Sequence, residues 1–311
     1  SGPWTDLTNE ALGQHSRYMG GTKGSHIVLD HPELHDACQG REVFFENDDG
    51  RIVLIFPLLG KVLVGTTDIP VDNPDDATCT DEEIDYFIDL VGHVFPGIDI
   101  DREQIVYRYS GVRPLPAAGD VNPGVVSRDY RIVNDTLPGG QTVLSLVGGK
   151  WTTFRALGEH LAADTLDALG ASSDYSSVSD PIAGGRGYPR TERARHQWVD
   201  NHRGDISARR ADALLGRYGT IAADILEHLN SAGDTPLESL PDYSVEEIQW
   251  LVRHEAVHSL QDLTHRRTPI AFTGALSPEA RDELAGVVSE ELGWSDAQHT
   301  EQQQLATLGL S

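Results

Sequence analysis

The hydrophobic period of this chain changes once along its length, and that change limits what the chain can fold into. Up to about residue 169 the apolar residues come in short β-branched and aromatic runs separated by turn residues. They are "SHIVLD" (25–30), "REVFF" (41–45), "RIVLIF" (51–56) and "KVLVGTTD" (61–68), and "QIVYRYSGVRPL" and "TVLSLVGG" continue the pattern. One helix interrupts them: Thr80 and Glu83 have the spacing of a capping box, and Ile84, Phe87, Ile88 and Val91 fall on one face. From about residue 188 the spacing turns helical in "TERARHQWVDNH", "ISARRADALLGRYG", "SVEEIQWLVRHEAVHSLQDL" and "SPEARDELAGVVSEELG". Between the two regimes "GASSDYSSVSDPIAGGRG" (170–187) is rich in Gly and Ser and has no apolar period, as a linker would. The expectation is an α+β fold: a mixed or antiparallel sheet domain over residues 1–169, a linker over 170–187, and a small all-helical domain over 188–311.

Charge narrows the partners. With 24 basic and 49 acidic residues the net charge is −25, and the lysines are Lys23, Lys61 and Lys150. Such a surface repels nucleic acid and anionic lipid at long range. A high-salt cytoplasm, whose ions screen the self-repulsion, and an ordinary acidic protein are both compatible with it. No apolar run reaches the ~20 residues of a membrane helix; "RIVLIFPLLGKVLVG" is interrupted by Pro57, Gly60 and Lys61 and reads as two strands. The start shows no signal-peptide pattern, and Cys38 and Cys79 are too few for a disulfide framework, which favours a reducing compartment. Ser1 opens the chain without a methionine; "SGPWTD" reads as the middle of a longer protein or a processed end, and a start at a domain boundary stays open.

"HEAVH" (254–258) has the spacing by which one helix face offers two imidazoles to zinc. A helix from Ser244, with Glu247 closing a capping box, would place Ile248, Leu251, Val252 and Leu263 on one stripe with Glu255 inside it. The longer zinc motif needs Gly at 261 and His at 264, where this chain has Gln261 and Thr264; Glu279 or Glu283 as a later ligand is open. The competing expectation is a structural carboxylate at Glu255, paired with Arg266 or Arg267.

Two other segments bear on chemistry. "SLVGGKWTTFR" (145–155) is a strand running into two glycines and then a helix that starts near Lys150, with Thr152 and Thr153 in its first turn. A helix start after glycines presents bare amides to a phosphate or a delocalised anion. "YSGVRPL" (109–115) and "SRDYRI" (127–132) bring Arg113 and Arg128 near strand ends. In a chain with so few cations these could form an anion site, or each could only neutralise a nearby carboxylate.

"TKGSHIV", "GTTD", "YSGVRPL", "RDY" and "GGKWTTFR", in this order, resemble the FAD-dependent glycerol-3-phosphate dehydrogenase family, in its C-terminal portion. "SGPWTD" and the helical tail resemble that family's segments as well. The strand–G-x-G-x-x-G–helix unit with which members begin has no counterpart here. The resemblance implies a partial FAD-binding fold with a substrate-binding sheet, then a helical C-terminal domain. It also implies oxidation of sn-glycerol 3-phosphate to dihydroxyacetone phosphate by hydride transfer to FAD. Arg113 and Arg128 would grip the substrate phosphate, and His26 would act at the C2 hydroxyl with a pKa near neutrality, Lys150 being the rival. Lys150, Gly148, Gly149 and Thr152 would face the flavin, and Gly2 and Pro3 would meet it from the other side. No metal is implied. The implied electron acceptor is a quinone and the implied location cytoplasmic, with peripheral association at the inner face of the membrane left open. Two other readings compete, a catalytically silent binding module and an oxidase that uses oxygen; a zinc protease is disfavoured, since the resemblance implies that "HEAVH" lies in a structural helix of the C-terminal domain.

Overall fold

The computed structural model describes residues 1–48, 50–117 and 129–307. It divides into two compact units, one from Ser1 to Ser179 and the other from Asp180 onward. No helix among the described residues is long and apolar enough to cross a membrane.

In the first unit a 3-10 turn at Gly2–Trp4 leads into α1 (Thr5–Ala11) and then the central strand β1 (Thr22–Leu29). After α2 (Pro32–Ala37) come β2 (Val43–Glu46), β3 (Ile52–Leu58), β4 (Lys61–Gly65) and the short β5 (Ile69–Pro70). Helix α3 (Asp81–Val94) precedes β6 (Ile105–Arg113), and β7 (Arg131–Thr136) and β8 (Thr142–Val147) form a separate hairpin before α4 (Phe154–Ala168). The main sheet runs β2-β3-β4-β1, with β5 and β6 also on β1, and all of its pairings are antiparallel. Of the two arrangements expected, the antiparallel one is therefore the one present. Pro57, expected to break the run, instead lies inside β3 opposite Val62. It is beyond the last β2 pair, Val43–Ile55, so the strand has a single neighbour there and proline is tolerated. The chain reverses at Leu59 and Gly60, both at positive φ, as a tight hairpin requires.

One face of the sheet packs on α3. Ile27, Leu29, Val53, Ile55, Val62 and Val64 meet Ile84, Phe87, Leu90 and Val91 in a continuous core. The capping box expected of Thr80 and Glu83 is formed. Glu83 does more than cap: its carboxylate takes Lys23 Nζ at 2.7 Å, the Thr67 hydroxyl at 2.6 Å and the Thr80 amide at 2.9 Å. The Lys23 and Glu83 side chains are 8% and 4% exposed, so this is a buried ion pair joining strand to helix. Burial alone would push the Glu83 carboxyl up; the bonds from Lys23, Thr67 and Thr80 outweigh it and hold the group below its ordinary value of 4.5. The entry to the unit is pinned likewise. Asp6 accepts from Ser16 Oγ (2.6 Å) and from the amides of Tyr18 and Met19 (both 2.9 Å), and Asn9 donates to Ser145 on β8 (3.0 Å).

The second unit is helical: α5 (Glu192–His202), α6 (Ala208–Tyr218), α7 (Ala222–Ala232), α8 (Val245–His254), α9 (Pro278–Leu292) and α10 (Asp296–Leu305). Leu214, Leu215, Ile225, Leu226, Ile248, Leu251, Leu284 and Val288 are buried in its core. Ser244 caps α8, but Glu247 does not close the box. Its side chain is fully buried and instead meets Arg210 at 2.7 Å, Arg217 at 3.1 Å and the Tyr218 hydroxyl at 2.6 Å. Two cations outbid one backbone amide for a buried carboxylate. Within the Gly/Ser-rich stretch, Ser177 donates its hydroxyl to Glu159 at 2.8 Å, and the Gly184 carbonyl accepts from the Thr220 amide at 2.9 Å.

Replacing Lys23 by Met keeps most of the stem but strips Glu83 of its cation. The first unit should lose about 3–5 kcal/mol, read as a shift of its transition midpoint in denaturant; a loss under ~1 kcal/mol would mean that the remaining hydrogen bonds carry the carboxylate. Because the folded pKa of Glu83 lies below its unfolded value, its contribution is complete above about pH 4.5 and disappears as pH falls through the folded pKa. The wild-type chain should therefore lose stability on acidification in that window, and Lys23→Met should lose less there.

Candidate functional site

β1 brings the polar groups together. His26 stands opposite Tyr109 of β6 and opposite Gly65 of β4. Its imidazole stacks on the Tyr109 ring, with centroids 4.9 Å apart and planes at 9°. On the other side a Cβ at Gly65 would collide with the imidazole, so only glycine leaves room for the ring. Arg113 ends β6 opposite Thr22, and its guanidinium reaches back over Gly24, where a Cβ would strike both it and the Thr66 hydroxyl. Nη1 pairs with Asp68 Oδ1 at 3.2 Å; Nη2 donates to Thr66 Oγ1 and to the Thr67 carbonyl, each at 3.1 Å. The "GTTD" turn after β4 is thus the cradle of Arg113.

Electrostatics correct one expectation. The His26 pKa does not sit near neutrality: burial first, and the Arg113 cation second, push it down to about 4. At neutral pH the imidazole is uncharged. Its Nδ1 is buried with no hydrogen-bond partner among the described residues. Buried polar atoms are seldom left unpaired, so this orphan beside a fixed guanidinium sets the ring apart from an ordinary core histidine.

The remaining expected residues are placed as follows. Gly148 and Gly149 follow β8 with φ of 80° and 104°. A Cβ at Gly148 would meet the Asp129 carbonyl at 2.7 Å and Pro116 at 3.3 Å, so this turn abuts the chain three residues beyond Arg113. Lys150 caps a 3-10 turn at Trp151–Thr153 that includes Thr152, and the α-helix proper starts only at Phe154, one turn later than expected. The Lys150 amide donates to the Thr153 hydroxyl at 3.3 Å, and its ammonium has no ion-pair partner among the described residues. Gly2 has φ 58° and faces open space where a side chain would be; Pro3 lies in the same turn, which packs beside β6. Arg128 lies outside the described residues. Sequence reasoning missed Asp68 and Tyr109; the signal available was a pair of glycines, Gly24 and Gly65, in otherwise well-formed strands.

"HEAVH" does not supply the zinc geometry. Helix α8 ends at His254, and Ala256 takes a left-handed conformation (φ 52°), so His254 and His258 are not one turn apart on a helix. This also divides the single helix expected from Ser244 to Leu263. His254 stacks on Trp250 and bonds its carbonyl at 2.8 Å. Of the two arginines expected near Glu255, Arg267 pairs with it at 3.9 Å, whereas Arg266 bonds Asp262. Both partners of the Glu255 pair are more than a third exposed, so it is a surface pair.

Nuclear magnetic resonance titration of the imidazoles should show His26 neutral from pH 8 to 5, protonating near 4. Arg113→Gln, which removes the neighbouring cation, should move that titration upward; no movement would place the guanidinium away from the ring. With the folded pKa depressed below 6.5, the stability due to neutral His26 is complete above about pH 6.5 and declines as pH falls towards 4.

The geometry can be set beside known proteins. The family model described as FAD dependent oxidoreductase matches residues 1–163, and that described as C-terminal domain of alpha-glycerophosphate oxidase matches residues 176–299. A glycerol-3-phosphate dehydrogenase of Synechocystis sp. is 32% identical over 96% of this chain and 55% of the relative. A D-erythritol 1-phosphate dehydrogenase of Brucella abortus is 32% identical over 86% of this chain and 53% of the relative. The crystal structure of the glycerol-3-phosphate dehydrogenase from Bacillus halodurans complexed with FAD superposes on 98% of this chain and 60% of its own, with a TM-score of 0.79 at 21% identity; it shares the fold. The chain spans about half the length of the curated relatives it matches. A family model matched over more than half of the chain, together with a relative 32% identical along nearly all of it, shows that this chain belongs to the FAD dependent oxidoreductase family.

Proposed function

We propose that the chain is the substrate-binding and helical part of a dehydrogenase that oxidises sn-glycerol 3-phosphate to dihydroxyacetone phosphate. One observation carries the reading: a neutral imidazole with an orphaned Nδ1 lies within electrostatic reach of an arginine whose fork is fixed by Thr66, Thr67 and Asp68. The two curated relatives given above, both named for phosphorylated polyols, support the same substrate class.

FAD, when bound, supplies a two-electron acceptor for the hydride from C2. The residues present are compatible with a flat ring approached by backbone: Gly2 faces open space, and Gly148 and Gly149, whose side-chain directions are filled by Asp129 and Leu157, present their backbone at positive φ. Gly2, Pro3, Gly148, Gly149, Lys150 and Thr152 would hold it, with the Lys150 ammonium lending positive potential. Arg113 binds substrate oxygens through charge-assisted hydrogen bonds, with Arg128 as a second cation at the phosphate. Neutral His26 accepts a hydrogen bond from the C2 hydroxyl. An imidazole whose pKa is about 4 is a weak base: burial, the larger cause, persists when a ligand binds, and a phosphate dianion beside Arg113 offsets only the second cause, the cation, so the ring moves up part of the way. Lys150, exposed and without an ion pair among the described residues, is the alternative base. A quinone as the electron acceptor, and a cytoplasmic location with peripheral contact at the membrane, belong to this reading as proposals.

The test joins this chain to the portion of the Synechocystis relative outside the matched segment. A yellow, FAD-retaining protein that reduces a quinone analogue with sn-glycerol 3-phosphate is the expected result. In it, Arg113→Ala should lose about 2–5 kcal/mol in kcat/KM, the loss typical of removing one partner of a buried charged contact. Unchanged kcat/KM would remove Arg113 from the substrate; preferential turnover of D-erythritol 1-phosphate would replace the substrate, and turnover with oxygen alone would replace the acceptor.

A further inference from the structure

We propose that Asp68 is the positioning and selectivity residue of the Arg113 anion site, an inference that rests on Arg113 being the substrate clamp. A carboxylate 3.2 Å from the guanidinium that must attract a phosphate is at first sight misplaced, the more so in a chain of net charge −25. Its placement makes sense if direction matters more than attraction. Asp68 takes Nη1, and Thr66 Oγ1 and the Thr67 carbonyl take Nη2, so both terminal nitrogens of the planar fork are fixed from the turn side.

The turn in its place is tied to the core. The Thr67 hydroxyl accepts from the Ser25 amide at 3.0 Å and donates to Glu83 at 2.6 Å, and Glu83 is held by Lys23. Thr67 is buried. Gly24, lying beneath the guanidinium, admits no side chain that could lift it. Arg113 is therefore aimed by a rigid assembly and does not follow its ligand. Asp68 also subtracts a charge from the site, so a free inorganic anion gains little from the guanidinium alone. A ligand that also reaches His26 gains a second contact that a bare anion lacks. The repulsion falls on both anions alike, so the preference for an organic phosphate over an inorganic one comes from the aim that Asp68 gives Arg113, which lets one ligand meet the guanidinium and His26 together.

The 311-residue chain is titrated calorimetrically at low ionic strength with inorganic phosphate and, separately, with sn-glycerol 3-phosphate. Asp68→Asn should bind inorganic phosphate about three- to tenfold more tightly, the effect of removing one nearby like charge, while its preference for sn-glycerol 3-phosphate shrinks. Thr67→Ser, which keeps the hydroxyl, should retain the wild-type preference, and Thr67→Val should lose it. If Arg113→Gln weakens binding but Asp68→Asn leaves inorganic phosphate unchanged or weaker, Asp68 is only a structural pair and the proposal is overturned with the clamp intact. An equal change for both ligands in Asp68→Asn, whether tighter or weaker, leaves the preference where it was and overturns the proposal too. If Arg113→Gln has no effect, or the wild-type chain shows no saturable binding, the clamp itself falls and Asp68 with it.

Discussion

The buried pair of Lys23 and Glu83 is the interaction on which the first unit turns. A charge taken out of water must be paired and hydrogen-bonded, and Glu83 meets that demand with groups from three places: the central strand, the turn after β4 and its own helix cap. One carboxylate thereby starts α3, neutralises β1 and seats Thr67. A buried ion pair is weak evidence of net stability, but it specifies register strongly. A slip of β1 by one residue would turn Lys23 to the opposite face and leave Glu83 alone.

From that anchor the site follows by short steps. Thr67 uses its side chain below and its carbonyl above, joining the core to Arg113. Glycine is used in two distinct ways around it. Gly24 and Gly65 adopt backbone angles open to any residue; they are glycine because an arginine and an imidazole occupy the volume a Cβ would take. Gly148 and Gly149 are at positive φ, where the backbone path itself strains other residues, and at Gly148 the Asp129 carbonyl adds a steric bar.

The second unit repeats the logic of the first on a different scaffold. Fully buried Glu247 gathers Arg210, Arg217 and Tyr218, and Arg217 also lies over the Tyr243 ring at 3.8 Å. In a chain this acidic, Lys23, Arg210 and Arg217 go to the two buried carboxylates, Glu83 and Glu247. Burial and the Glu247 charge push the Tyr218 hydroxyl far above its ordinary range, so it stays a donor at any physiological pH. Helix α4 differs from all of these: it has no buried residue along its length, and Trp151 just before it is 86% exposed.

Local chemistry made much of this legible before any fold was known. β-branched and aromatic runs between turn residues predicted the strands, Thr80 and Glu83 predicted the start of α3, and serine caps with 3.6-residue spacing predicted α8 and α9, because each signal is read over a few neighbouring residues. The motifs quoted in order were enough for the family. What they could not contain is any quantity set by residues far apart in sequence. The pKa of His26 depends on burial in the sheet and on Arg113, 87 positions away; the aim of Arg113 depends on a turn more than 40 residues earlier that is itself held by Glu83. The left-handed break at Ala256 and the seizure of Glu247 by two arginines likewise override a local pattern that pointed elsewhere. Sequence determined which elements form and which residue types are available. Tertiary structure decided which of those residues share a dry, charged space, since desolvation and Coulomb interactions act through space and not along the chain.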